Sequence, residues 1–136
     1  MQSPLPAAAK HVLIVEDDEP TLRLMTRAVS AAGHRVTSFG DFEGAKKYLE
    51  ATEPDVLVTD VRLGAFNGLQ LVVIGRLEHP RMNAVVLTGF DDAVLREQAS
   101  NAGASYLVKP VQLRRLVAAI NEPTRPDARP TAHETT

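Results

Sequence analysis

The sequence predicts an α/β domain: a parallel sheet of five strands in the order 2-1-3-4-5, doubly wound with five helices. Short continuous runs rich in β-branched residues alternate with segments whose apolar residues recur at helical spacing. The alternation is strict and the connections are short, so right-handed crossovers make the strands parallel and place helices on both faces. Polar residues able to do chemistry follow the first, third, fourth and fifth strands but not the second. That asymmetry puts the second strand at an edge, with the first and third meeting where the strand order reverses.

Residues 12–15 form the first run, continuous as in a strand covered on both faces. Pro20 suits the first turn of the first helix, whose apolar positions are Leu22, Met25 and Val29, and Gly33 ends it. A weaker second strand spans residues 34–39, and Asp41 is the expected N-cap of a helix carrying Ala45, Tyr48 and Leu49. Residues 56–59 make the third strand, and Leu69, Val72, Val73 and Leu77 mark the third helix. The fourth strand spans 84–88, and Asp91 is the expected N-cap of a helix with Val94, Leu95 and Ala99. A weak fifth strand at 104–108 precedes a helix marked by Leu113, Leu116, Val117 and Ile120. Residues 121–136, with three prolines and scattered charges, read as a disordered tail, and residues 1–10 as a disordered leader.

The chain has 136 residues, 44% hydrophobic and 24% charged, the size and composition of one soluble domain. Fifteen Lys and Arg against 17 Asp and Glu leave a net charge of −2, so no basic field exists to hold nucleic acid or an anionic membrane. Without cysteine there are no disulfides or thiolate metal sites. No run approaches the ~18 apolar residues of a membrane helix, and the first ten residues lack the layout of a secretory signal. The expected location is cytoplasmic.

In an open parallel sheet, ligands bind beyond the carboxyl ends of the strands. The first strand runs into Glu16, Asp17, Asp18 and Glu19, the third into Asp60, the fourth into Thr88 and the fifth into Lys109. Singly these have ordinary uses, since acids at helix N-termini offset the macrodipole and an aspartate can open a turn. Four strand ends delivering carboxylates, a hydroxyl and an ammonium to one rim exceed what capping requires. Clustered carboxylates repel one another unless a cation sits among them, and an all-oxygen set suits Mg2+. His11, His34, His79 and His133 lack ligand spacing, which argues against zinc. Metal, lysine and hydroxyl together form a phosphoryl-binding set, in which a carboxylate can serve as the nucleophile.

The motifs VLIVEDDEP, VLVTDVRLGAFNGLQL, AVVLTGF and GASYLVKP, in that order, resemble the receiver domains of bacterial two-component response regulators over residues 11–120. The resemblance implies a flavodoxin-like fold with Asp60 as phosphoacceptor. It implies Asp17 as a direct Mg2+ ligand, Glu16 as a ligand through water and the main-chain carbonyl of Arg62 as a further ligand. Thr88 would bind a phosphoryl oxygen, Lys109 would pair with the phosphoryl group, and Pro110 would follow a cis bond that orients Lys109. Tyr106 would be the ring that moves inward as Thr88 turns. Asp18 and Glu19 fall outside this set and belong to the helix N-terminus. A histidine kinase or histidine phosphotransfer protein would be the donor. Such a domain catalyses only its own phosphorylation and dephosphorylation and is not otherwise an enzyme. With no effector domain expected after residue 120, output would act in trans on a partner protein, through the fourth helix, fifth strand and fifth helix, where Arg96, Gln112 and Arg115 are available.

Three features depart from the family pattern. Leu63-Gly64 stand where methionine-proline is usual, and glycine lacks the fixed φ of proline, so a mobile loop is expected there. GASYLVKP is one residue shorter than usual before its aromatic residue. Arg62 and Phe90 stand two residues after Asp60 and Thr88, beside the path of attacking water, which predicts a long-lived phosphorylated state. The alternatives are a phosphorylation-independent interaction scaffold and a small Mg2+-dependent phosphatase or phosphotransferase.

Overall fold

The elements follow one another as β1 (His11–Val15), α1 (Glu19–Ala31), β2 (Arg35–Phe39), α2 (Phe42–Ala51), β3 (Val56–Asp60), β4 (Arg62–Leu63), β5 (Phe66–Asn67), α3 (Leu69–Glu78), β6 (Asn83–Thr88), α4 (Ala93–Asn101), β7 (Ser105–Val108) and α5 (Leu113–Ile120). These come from a computed structural model that describes residues 8–123. Five strands make one parallel sheet in the order β2-β1-β3-β6-β7, which is 2-1-3-4-5 counted over the sheet strands alone. The strongest apolar runs, β1, β3 and β6, are buried along their whole length, whereas the weaker runs, β2 and β7, hold the partly exposed edges. The strength of each run in the sequence therefore tracks how many neighbours its strand has.

Alternation along the strands divides the core into two layers. Leu13, Val15, Leu57 and Val86 face α2 and α3 through Leu49, Leu71 and Val72. Val12, Ile14, Val58 and Leu87 face α1 and α5 through Met25, Val29, Leu116 and Ile120. Each of these is almost wholly removed from water, so truncating one of the leucines, isoleucines or Met25 to alanine costs about 2–5 kcal/mol.

Helix ends follow the expected chemistry with one correction. Asp18 caps α1 by accepting from the Thr21 N–H, with Pro20 in the first turn, and Asp41 caps α2 by accepting from the Gly44 N–H. Gly33, at φ +100°, follows the end of α1 in the left-handed region that glycine adopts without strain. The cap of α4 is Asp92 rather than Asp91: the Asp92 carboxylate accepts from the Val94 N–H at 2.7 Å, while Asp91 pairs with Arg96.

The segment after β3 carries structure that the sequence does not announce. The loop expected there contains an antiparallel hairpin of β4 and β5, with Leu63 opposite Phe66 and Gly64 at φ +61°. Glycine supplies the positive φ that the turn needs. Lys10 and residues 121–123, assigned by sequence to the leader and tail, are bound to the domain. His34 Nδ1 accepts from the Lys10 N–H at 3.0 Å, and its Nε2 donates to Asn121 Oδ1 at 2.7 Å. Lys10 Nζ donates to the carbonyls of Ile120 and Glu122, and Asn83 Nδ2 donates to that of Pro123. The rest of the leader and tail, 1–7 and 124–136, lies outside the described residues. Among the described residues no helix is long and apolar enough to cross a membrane.

Candidate functional site

The parallel register brings four strand ends to one rim. Val15 pairs with Thr59, Asp60 with Leu87, and Thr88 with Val108, so the residues that follow β1, β3, β6 and β7 lie side by side. The Lys109 N–H donates to the Thr88 carbonyl at 2.7 Å, extending that pairing by one step, and the peptide bond from Lys109 to Pro110 is cis. Despite the short GASYLVKP segment, Lys109 stands on the rim.

Glu16 is wholly buried and Asp60 nearly so, at 6% exposure, whereas Asp17 is exposed. Carboxylate oxygens of these three lie within 4.8 Å of one another. Lys109 Nζ donates to Glu16 Oε1 at 2.7 Å and to Asp60 Oδ2 at 3.1 Å. Burial raises the Glu16 carboxyl above its ordinary value, and the Lys109 ammonium and the Asp18 N–H only partly offset this. Burial by itself would lower the Lys109 ammonium, but its bonds to Glu16 and Asp60 outweigh that and raise it. The lysine is thus held charged against two acids in a partly dry site.

Two further donors arrange the acids. The Asp18 N–H binds Glu16 Oε2 at 3.0 Å, and the Gly64 N–H binds Asp17 Oδ2 at 3.3 Å. Three carboxylates offering hard oxygen ligands at close quarters fit a divalent cation of the Mg2+ type. An open cleft of about 830 Å³ lies over Asp60, lined by Arg62, Gly64, Phe66, Thr88, Phe90 and Lys109 among others.

Thr88 and Tyr106 are both tied to the segment that follows β6. The Thr88 hydroxyl donates to the Phe90 carbonyl and accepts from the Phe90 N–H, each at 3.1 Å. Tyr106 OH accepts from the Asp92 N–H at 3.2 Å. Arg96 lies 4.6 Å from the centre of the Tyr106 ring and is paired with Asp91 at 2.7 Å. Arg96, Gln112 and Arg115 are exposed on α4 and at the start of α5.

Sequence reasoning missed the contributions of the hairpin. The Gly64 N–H on Asp17 is a main-chain group, which residue type does not advertise. Gly68 is required for a similar reason, because a Cβ there would lie 1.9 Å from the Asp60 carbonyl oxygen. Phe66 stacks on Phe42 with ring centres 4.7 Å apart, a contact between residues too distant in sequence for any periodicity to reveal.

The described geometry has counterparts in known proteins. The DNA-binding transcriptional regulator NtrC of Escherichia coli is 30% identical over 110 residues, which cover 80% of this chain and 24% of that protein. The chain thus spans about a quarter of the length of the NtrC regulators it matches. A CheY-like receiver domain protein from Methanospirillum hungatei superposes with a TM-score of 0.79 at 26% identity, covering 85% of this chain and 93% of that one. A response regulator from Burkholderia pseudomallei, solved with a phosphorylated aspartic acid, a calcium ion and citrate, superposes with a TM-score of 0.75 at 28% identity, covering 81% of this chain and 65% of that one. The family model described as the response regulator receiver domain matches residues 12–121, nearly the whole of the sheet and its helices. This chain belongs to the receiver domains of two-component response regulators.

Proposed function

We propose that Asp60 accepts a phosphoryl group from a phosphohistidine donor, a histidine kinase or histidine phosphotransfer protein, and that the phosphorylated domain signals to a partner protein. The observation that carries this reading is Lys109, held charged between Glu16 and Asp60 beside a third carboxylate. An Asp60 carboxylate oxygen forms the new bond to phosphorus as the bond from phosphorus to the donor nitrogen breaks, giving an acyl phosphate. Asp17, Asp60, the Arg62 carbonyl and Glu16 would hold Mg2+, which when bound would supply positive charge that offsets the phosphoryl oxygens. Lys109 donates to a phosphoryl oxygen in place of its present bond to Asp60. The phosphorylated aspartate and bound calcium of the Burkholderia pseudomallei regulator support this assignment.

The output step uses Thr88 and Tyr106. A phosphoryl oxygen on Asp60 offers the Thr88 hydroxyl a stronger acceptor than the Phe90 carbonyl. Releasing Phe90 loosens the segment that also holds Tyr106 OH, so the ring turns inward and the face of α4, β7 and α5 changes shape. Arg62 and Phe90 border the cleft, with Phe90 70% exposed, and screen the acyl phosphate from water. Replacing both with alanine is expected to shorten its lifetime severalfold, measured by loss of the phosphorylated mass after the donor is removed; an unchanged lifetime contradicts the screening role.

Incubation with Mg2+ and acetyl phosphate tests the acceptor. Intact mass is expected to rise by one phosphoryl group in the wild type and not in Asp60→Asn or in chelator. Equal modification of Asp60→Asn contradicts the reading.

A further inference from the structure

The hairpin of β4 and β5 brings the Gly64 N–H to 3.3 Å from Asp17 Oδ2, and it begins at Arg62, whose carbonyl is assigned above to the cation. The tip at Gly64 borders open space, since nothing lies within 4 Å of where a Gly64 Cβ would be, and its N–H bond to Asp17 is a long one at 3.3 Å. Side-chain packing holds the hairpin only along the two strands behind the tip. On the inner side Leu63 is 3% exposed and belongs to the core. Across the ladder, Phe66 lies flat on Phe42, the first residue of α2, with ring planes 12° apart and centres 4.7 Å apart.

The two rings are unequal. Phe42 is buried, yet Phe66 is 46% exposed, so Phe66 is placed by its ring contact rather than by enclosure. Phe42 is a fixed platform. Asp41 caps the helix it begins, and that turn sits so close on β2 that a Cβ at Gly44 would come within 2.7 Å of the Phe39 ring. Through the stack, the hairpin is registered against α2 and the edge strand as well as, through the Gly64 N–H, against Asp17.

We propose that Phe66 and Phe42 are positioning residues for the divalent cation: their stack holds the hairpin so that the Gly64 N–H orients the Asp17 carboxylate and the Arg62 carbonyl stays in register with it. The proposal rests on the reading of Glu16, Asp17 and Asp60 as the cation site. Neither ring carries an atom that could ligate the cation. Both act through the main chain of β4 and its turn.

The test is a Mg2+ titration of the full chain, followed by the amide NMR shifts of Gly64 and of residues at the strand ends, with no phosphodonor present. Phe66→Ala and Phe42→Ala are expected to raise the half-saturating Mg2+ concentration about threefold to tenfold, the ratio that corresponds to losing one aromatic pair. Phe66→Tyr, which keeps the flat ring, is expected to restore the wild-type value. The Gly64 amide in metal-free Phe66→Ala is expected to shift, reporting the displaced tip. Unfolding midpoints measured in chelator separate folding from positioning. A lowered midpoint with unchanged Mg2+ half-saturation and an unmoved Gly64 amide overturns the proposal. Asp17→Asn tests the reading beneath it: if that variant binds Mg2+ as the wild type does, the cation site itself is misassigned, whereas loss of binding there with no effect of Phe66→Ala refutes the stack alone.

Discussion

The Lys109 ammonium, at 2.7 Å from Glu16 and 3.1 Å from Asp60, satisfies two acids that a divalent cation would also satisfy. Competition follows from Coulomb's law, since each positive group lowers the pull of the acids on the other. Lys109→Ala is expected to bind Mg2+ more tightly and yet to be phosphorylated about 100-fold more slowly, because a preorganised charge on the phosphoryl group is lost. A Mg2+ titration beside a rate measurement with acetyl phosphate checks both; weaker Mg2+ binding contradicts the competition. His11 offers a separate pH test at the other end of β1. Burial, then the Arg35 charge, lowers its pKa below the ordinary 6.5, and Asp55 only partly offsets them. Its ring binds Tyr48 OH at 2.8 Å and Thr37 Oγ1 at 3.0 Å. A lowered folded pKa means the unfolded chain takes up the proton first, so the contribution of neutral His11 is complete above 6.5 and is lost as pH falls through the folded value. The melting temperature of the wild type is expected to fall more steeply over that acid window than that of His11→Gln; equal slopes contradict it.

The element boundaries show where local sequence is ambiguous. Asp91 and Asp92 are adjacent, both suit an N-cap, and only the path of the segment after β6 decides between them. Asp92 accepts from the Val94 N–H, while Asp91 makes a salt bridge whose two side chains are more than half exposed. Asp92→Ala is therefore expected to cost about 1 kcal/mol of unfolding free energy and Asp91→Ala less than about 0.5 kcal/mol, measured by urea denaturation. The reverse order contradicts the cap assignment. The hairpin after β3 was illegible for another reason: each of its strands has two residues, too few for alternation to register. Gly64 reads locally as freedom, but the Leu63–Phe66 pair and the Phe66–Phe42 stack turn that freedom into a defined turn.

The two rims of the sheet have different tasks. At the carboxyl rim the acids, the hydroxyl and Lys109 converge. At the amino rim Lys10, His34, Asn83 and Asn121 bind the chain's entry to its exit from the domain. The first convergence was legible in the sequence because strictly alternating elements make a parallel sheet, and Glu16, Asp60, Thr88 and Lys109 each stand at or just past the end of a recognisable strand. The second was not, since His34 and Asn121 stand 87 residues apart with no pattern linking them. The assignments of Thr88, Tyr106 and the face of α4, β7 and α5 all depend on one acyl phosphate at Asp60. Borohydride reduction of the protein phosphorylated with acetyl phosphate, followed by peptide mass mapping, tests that bond directly. Conversion of Asp60 alone to homoserine is the expected result, and conversion at Asp17, or at no aspartate in a phosphorylated sample, would contradict it.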